Sequence, residues 1–202
     1  MSSSRPEFRE TNKQSPLPVV HRHITGHNQD GQAIFHSSQP GAWANMGPSL
    51  DFNVVYTTSV PKPSMNDDKD ISAHESVMDS GKLGLVHPNG SVCRMVDFGP
   101  STADAHAKPI MHRTESLDYG IVLEGEVECV LDSGEVRLMK RGDIAVQRGT
   151  MHAWRNASST DWARIIFVLL AAEKVKVGGK ELGADVEGEV PDIVKQQLAG
   201  EL

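Results

Sequence analysis

Two stretches of the chain gather side chains able to do chemistry. The first, HRTESLDYGIVLEG at 112–125, sets His112, Thr114 and Ser116 at alternate positions; the second, GDIAVQRGTMHAWRN at 142–156, carries a further histidine at 152. In an extended segment residues two apart share a face, so His112, Thr114 and Ser116 form a polar row while Arg113 and Glu115 charge the opposite face. Either one face turns its row into the interior of a barrel or both are solvated. An inward row is what a ligand pocket requires, with hydroxyls to orient a polar ligand and imidazole to exchange protons or bind a metal.

The elements that would hold these residues read as short strands. SVCRMVDFG, DYGIVLEGEVECVLDSG, EVRLMKRGD and IAVQRG are separated by turn residues. Val127, Cys129 and Leu131 alternate with Glu126, Glu128 and Val130 before Asp132-Ser133-Gly134 turns the chain back. This predicts an antiparallel meander. Upstream, VVHRHITGHNQDGQAIFHS predicts an N-terminal hairpin turning around Asn28 to Gly31. Residues 37–82 read as irregular, interrupted by Pro40, Pro48, Pro61 and Pro63, with one strand from Phe52 to Val60. The long loop at 61–82 is read as a lid, a partner contact or a plain surface excursion. Residues 1–18 hold too little apolar surface to offset the entropy of ordering and are expected to form a loose arm. The barrel is placed at 19–172 and a tail at 173–202, with Pro191, Ile193, Val194 and Leu198 suggesting a short C-terminal helix.

The 202 residues suit one domain. With 18 Gly, 11 Pro and 5% aromatic residues, turns between short strands are favoured over long helices, and the expected class is all-β. No internal repeat marks a second barrel. The net charge of −7 includes no basic run able to follow a phosphate backbone, which argues against nucleic acid as a partner. The opening MSSSRPEFRE lacks the apolar stretch of a secretory signal, and no apolar run approaches the ~20 residues that cross a bilayer, so no membrane partner is expected. The longest, Ile165 to Ala172, suits a buried strand. Cys93 and Cys129 are the only cysteines, as expected of a reduced cytoplasmic protein without a disulfide framework or a thiolate zinc site, although one bridge between them stays open.

Both chemical stretches resemble the two motifs of the cupin superfamily. His112 matches the first motif's leading histidine, Asp118 stands at its Glu position, and Gly125 follows at the right distance; Thr114 occupies the place of the second histidine. Gly149, His152 and Asn156 match the second motif, while Gln147 replaces its proline. The match spans about 45 residues, and the strands between the motifs agree with it. The resemblance implies a single jelly-roll barrel and, residue by residue, His112, Asp118 and His152 as ligands of a divalent ion such as iron, zinc or manganese. Losing one imidazole at Thr114 leaves two His and one carboxylate, a set suited to Fe(II) with open positions or Zn(II) with a bound water. The alternative is that His112 and His152 are satisfied pocket histidines in a barrel that has lost its metal. His106 is a reserve ligand. His21, His23, His27, His36, His74 and His87 are scattered over hairpin and loops, where exposed or turn histidines are the ordinary case.

Trp154 shares parity with His152, so it either walls a flat or apolar substrate or packs in the core. Arg148 shares it too, offering a guanidinium fork to a substrate carboxylate or a surface ion pair. Three functions follow from the resemblance. The favoured one is a lyase, a decarboxylase or dehydratase acting on an oxygenated or polyketide-like acid, in which Asp118 or His152 moves a proton and Thr114 and Ser116 orient the substrate. The others are a non-haem Fe(II) dioxygenase and a non-catalytic small-molecule-binding barrel. Val19 to His36 is placed to cover a neighbour's sheet edge, which predicts a homodimer.

Overall fold

The structure is a computed structural model that describes residues 13–47, 49–101 and 110–187. In chain order its strands are β1 (His21–His27), β2 (Ala33–Pro40), β3 (Trp43–Asn45), β4 (Leu50–Thr58), β5 (Ser91–Phe98), β6 (Met111–Arg113) and β7 (Ser116–Glu124). They continue as β8 (Glu126–Leu131), β9 (Val136–Lys140), β10 (Ile144–Arg148), β11 (His152–Asn156), β12 (Ala163–Ala171), β13 (Val175–Val177), β14 (Lys180–Leu182) and β15 (Asp185–Glu187). Among the described residues a single α-helix, α1 (Lys69–Ser80), follows a short 3-10 helix at Asn66–Asp68 between β4 and β5.

Two antiparallel sheets make the jelly roll, one ordered β10-β7-β12-β5-β4-β3 and the other β15-β6-β11-β8-β9. Alternation decides which residues meet between them. Val92 and Val96 on β5, Val122 on β7, Val127 and Cys129 on β8, Met139 on β9 and Ile165, Phe167 and Leu169 on β12 form one buried core. The all-β barrel read from the sequence is therefore the fold, and the expected N-terminal hairpin is the β1–β2 pair, turning through Asn28 to Gln32.

The outer face of the larger sheet is polar yet buried. Arg164 donates from Nε and Nη2 to the two carboxylate oxygens of Asp97, at 2.5 and 2.7 Å, and its guanidinium lies over the Trp43 ring at 4.8 Å. Residues 13–18 cover this cluster. Lys13 Nζ stands 3.4 Å from Asp97, the backbone N–H groups of Gln14 and Ser15 donate to Asp51, and Pro18 O accepts from Arg164 Nη1. Of the expected loose arm, 1–12 lie outside the described residues, and 13–18 are held by buried charge rather than by apolar surface, which is why composition alone did not reveal the contact.

The 61–82 stretch is not wholly irregular, because α1 runs through most of it and ends at Gly81, whose positive φ of 64° suits a helix C-terminus. Its inward residues are Ile71 and His74. A histidine on the buried face weakens the apolar stripe that marks a helix in sequence. Arg22 Nη1 of β1 donates to His74 Nε2 at 2.9 Å, and His74 Nδ1–H donates to Thr57 Oγ1 of β4 at 3.0 Å, so one neutral imidazole fastens helix, hairpin and sheet. Burial, helped by the Arg22 charge, pushes the His74 imidazole down to about 4.

The segment 173–187, expected to be part of a tail, is also structured. Val175–Val177 and Lys180–Leu182 pair around Gly178 and Gly179, both at positive φ, and Asp185–Glu187 adds β15 alongside β6. The paired Gly-Gly between alternating apolar residues is a hairpin signal that the surrounding charge obscured. The helix expected after Pro191 lies outside the described residues. Among those described, no helix is long and apolar enough to cross a membrane.

Candidate functional site

His112 and His152 meet inside the barrel because β6 and β11 are ladder neighbours with these two residues directly opposite. Their ring centroids are 4.5 Å apart. Two imidazoles on one tetrahedral or octahedral ion need roughly 4.5–5.2 Å between ring centres, given metal–nitrogen bonds of about 2.1 Å. The separation fits. Each ring is also oriented by its own backbone: His112 Nδ1–H donates to Ile110 O at 3.0 Å, and His152 Nδ1–H to Thr150 O at 2.9 Å. Since a carbonyl only accepts, both protons sit on Nδ1 and both Nε2 atoms carry a lone pair, the tautomer a metal ligand uses. Burial lowers the His112 imidazole; burial and the neighbouring His112 push His152 down to about 3, against the Thr150 hydrogen bond. The pair is therefore neutral at pH 7.

Asp118 is placed differently from its expected role. It lies on β7, in the other sheet, since the chain crosses at Thr114 and Glu115 after β6 and takes new ladder partners. Among the described residues no three or more His, Cys, Asp or Glu stand together so as to hold a metal ion. The three expected ligands therefore do not form such a group, and His106, the reserve ligand, lies outside the described residues. Thr114, 2% exposed, instead connects to Asp118: Ser116 Oγ donates to Thr114 Oγ1 at 2.8 Å, and Thr114 Oγ1 reaches Asp118 Oδ2 at 3.5 Å. Asp118 Oδ1 is buried without a hydrogen-bond partner. Burial pushes this carboxyl up to about 6, against the Ser116 and Thr114 hydrogen bonds and the Arg94 charge.

Trp154 faces the interior with His152, as parity predicted. Its ring meets His152 edge-on at 6.1 Å and Phe167 at 5.4 Å. Gly120 is the facing residue that makes room, since a Cβ there would come within 2.9 Å of the Phe167 ring. Arg148 does not share this interior. Its side chain is exposed at the end of β10, because Gly149, at φ 61°, turns the chain between β10 and β11 and cancels the parity with His152. Gln147 is inward instead, donating from Nε2 to Cys129 Sγ at 3.1 Å and accepting from the Thr150 hydroxyl. Asn156 is structural: its Nδ2 donates to Phe98 O, Gly99 O and Asp161 O.

Sequence reasoning missed Arg94. It is 2% exposed, donates from Nη2 to Gly84 O and Leu85 O at 2.6 and 3.0 Å, and lies over the Phe52 ring at 5.7 Å. The available signal was its parity with Val92 and Val96, which places a guanidinium on an apolar face. A cleft of about 640 Å³ lies elsewhere, between the Pro61–Pro63 stretch, Pro88 to Ser91 and the end of β12, and shares Glu115 with a smaller one reaching Thr114 and Ser116. Cys93 and Cys129 are both free thiols.

Residues 95–169, which hold both motif stretches, match the Cupin domain family. Phomopsin biosynthesis cluster protein D of Diaporthe leptostromiformis is 44% identical over 175 residues, covering 85% of this chain and 89% of that protein. Oryzines biosynthesis cluster protein J of Aspergillus oryzae is 41% identical, over 86% and 94% of the two chains. A cupin-domain-containing oxidoreductase of Aspergillus ruber, fogC, is 38% identical over 82% and 79%. With the motifs, the barrel and these relatives in agreement, the chain belongs to the cupin family.

Proposed function

We propose that this cupin is an enzyme of small-molecule biosynthesis, a lyase of the dehydratase or decarboxylase type, acting on an oxygenated or polyketide-like acid inside the barrel. The observation that carries the reading is the division of labour between the two sheets: a neutral imidazole pair on one, a separate carboxyl with a free buried oxygen on the other. His112 and His152 are the residues that would hold a divalent ion, through Nε2. Such an ion supplies Lewis-acid polarisation of a substrate carbonyl or carboxylate. Asp118, pushed up to about 6, exchanges a proton near neutral pH at Oδ1, while Thr114 engages Oδ2 and keeps the two oxygens distinct. Trp154 and Phe167 exclude water from one wall and offer ring faces to a flat substrate. Arg94 adds a fixed positive charge that favours an acid over a neutral molecule.

An oxidoreductase is the second reading, favoured by what the Aspergillus ruber relative is named. Its Fe(II) dioxygenase form needs a third protein ligand beside His112 and His152; among the described residues no three such groups stand together, and His106 lies outside them. The test is to incubate the purified protein, loaded in turn with Fe(II), Zn(II) and Mn(II), with metabolite extract from a strain lacking it, under argon and under air. A product lighter by water or carbon dioxide in both atmospheres is expected. Turnover only in air, with oxygen uptake, overturns the lyase reading, and a tightly held small molecule without turnover makes the barrel a binding module.

The setting we propose is a reduced cytoplasm, in keeping with the two free thiols. The assembly is a homodimer: the β1–β2 hairpin leaves Phe35 73% exposed, and the edge strand β10 presents Ile144 and Val146, 61% and 54% exposed.

A further inference from the structure

Four of the nine histidines lie in the β1–β2 hairpin, and the fold sorts them by face. His21, His23 and His27 alternate with half-buried residues and are exposed along one side of β1. The rings of His21 and His23 are nearly parallel, with planes 16° apart and centroids 6.4 Å apart. Ser38, opposite His23 in the ladder, meets its Nδ1 through Oγ at 2.9 Å, and Phe35 packs against the same ring edge-on at 6.0 Å. When Nδ1–H donates to that hydroxyl, the His23 Nε2 lone pair faces solvent, the arrangement in which an outer hydrogen bond orients a ligating imidazole.

We propose that His21 and His23 form a surface site for a borderline divalent ion, Cu(II), Ni(II) or Zn(II), bound by two imidazole nitrogens with water in the remaining positions. The paired strand fixes the two side chains on one face, so the second imidazole binds as a chelate once the first has bound. The ring centres must close by about 1 Å to share one ion at metal–nitrogen distances near 2.1 Å, a movement within reach of exposed side chains. His27, four residues beyond His23 and about 13 Å along the strand, lies too far to join. With two imidazoles and no carboxylate the pair selects against Mg(II) and Ca(II). This site is independent of the barrel and of the reaction run there.

The experiment uses the full chain, stripped with chelator and titrated calorimetrically with CuCl2 and NiCl2, with histidine ring protons followed by NMR for paramagnetic broadening. To isolate the hairpin, the background is the His112→Ala/His152→Ala double variant, checked for native circular dichroism. One ion is expected to bind in the micromolar range and broaden His21 and His23 together, while MgCl2 gives no heat. His21→Ala or His23→Ala is expected to weaken binding at least tenfold. In the His21→Ala variant, Thr25→His, two residues beyond His23 on the same exposed face, is expected to restore binding. Undiminished binding by both alanine variants, or broadening confined to other histidines, overturns the proposal. Because all three substituted positions are solvent-exposed, lost binding in a variant with native circular dichroism reports the site and not the fold.

Discussion

His112 and His152 face one another across the β6–β11 ladder, and each donates Nδ1–H to the carbonyl two residues before it. The same local turn, used twice, aims two Nε2 lone pairs without help from a distant side chain. Val186 of β15 lies opposite His112 on the other side of β6, so the short strand is held from both edges. The imidazoles act as one unit: with either removed, the other is a single weak ligand. Elemental analysis after gel filtration should therefore find His112→Ala, His152→Ala and the double variant equally depleted of metal. Losses that add would mean that the two rings hold separate ions.

The Asp118 carboxyl gives a pH-dependent prediction. Its folded value, about 6, lies above the ordinary 3.8 because of burial, so the folded state binds the proton more tightly than the unfolded chain does. The stability this contributes is complete below pH 3.8 and is lost as pH rises through 6. At pH 7.5 the metal-free protein then carries the cost of a buried carboxylate, on the order of 2–3 kcal/mol from a shift of about two units. In chelator-treated protein Asp118→Asn should raise Tm at pH 7.5 and by only about a third as much at pH 4.5, and in metal-loaded protein it should abolish turnover. An equal change in Tm at both pH values would show that the carboxyl is not the cause.

The sequence carried the site's outline better than its wiring. His112, Thr114, Ser116 and Trp154 were legible because strand parity is preserved within β6, the crossing that follows it, and β11. Arg148, read as a substrate contact or a surface ion pair, is exposed because parity stops at the positive-φ Gly149 between two strands, and it lines the smaller cleft with Thr114 and Ser116. Asp118 was rightly placed in the interior but could not be assigned a sheet, since sheet membership depends on ladder partners tens of residues away. Helix α1 was hidden because its buried face is part histidine, and the anchoring of residues 13–18 because it rests on charge.

The cluster under residues 13–18 should be among the most sensitive in the molecule. Asp97 is the common partner of Arg164 and Lys13, all three nearly inaccessible to solvent. Replacing it by Asn leaves two buried cations without their carboxylate. Breaking such a pair from one side costs about 3–5 kcal/mol, and urea unfolding of Asp97→Asn should show a loss of that size. Arg164→Lys should also destabilise, since an ammonium cannot make the two-pronged contact with Asp97. A loss below about 1 kcal/mol, the range of surface ion pairs, would mean that water reaches the cluster.

The hairpin and the exposed edge of the larger sheet make the proposed assembly testable by charge. Phe35 and Ile34, on successive positions of β2, expose apolar surface on both faces of a two-stranded ribbon, an element that is marginal alone in water. Among the described residues strand β10 pairs only with β7, leaving Ile144 and Val146 on the edge strand of that sheet. In a two-fold dimer each hairpin would cover the partner's edge, burying both patches at once. Phe35→Asp or Val146→Lys should then shift the protein from dimer to monomer in sedimentation equilibrium at micromolar concentration, with circular dichroism unchanged. Because Phe35 packs against the His23 ring, Val146→Lys, which leaves the hairpin untouched, is the substitution in which the histidine pair serves as an internal control. A wild-type protein that sediments as a monomer at those concentrations would rule this dimer out.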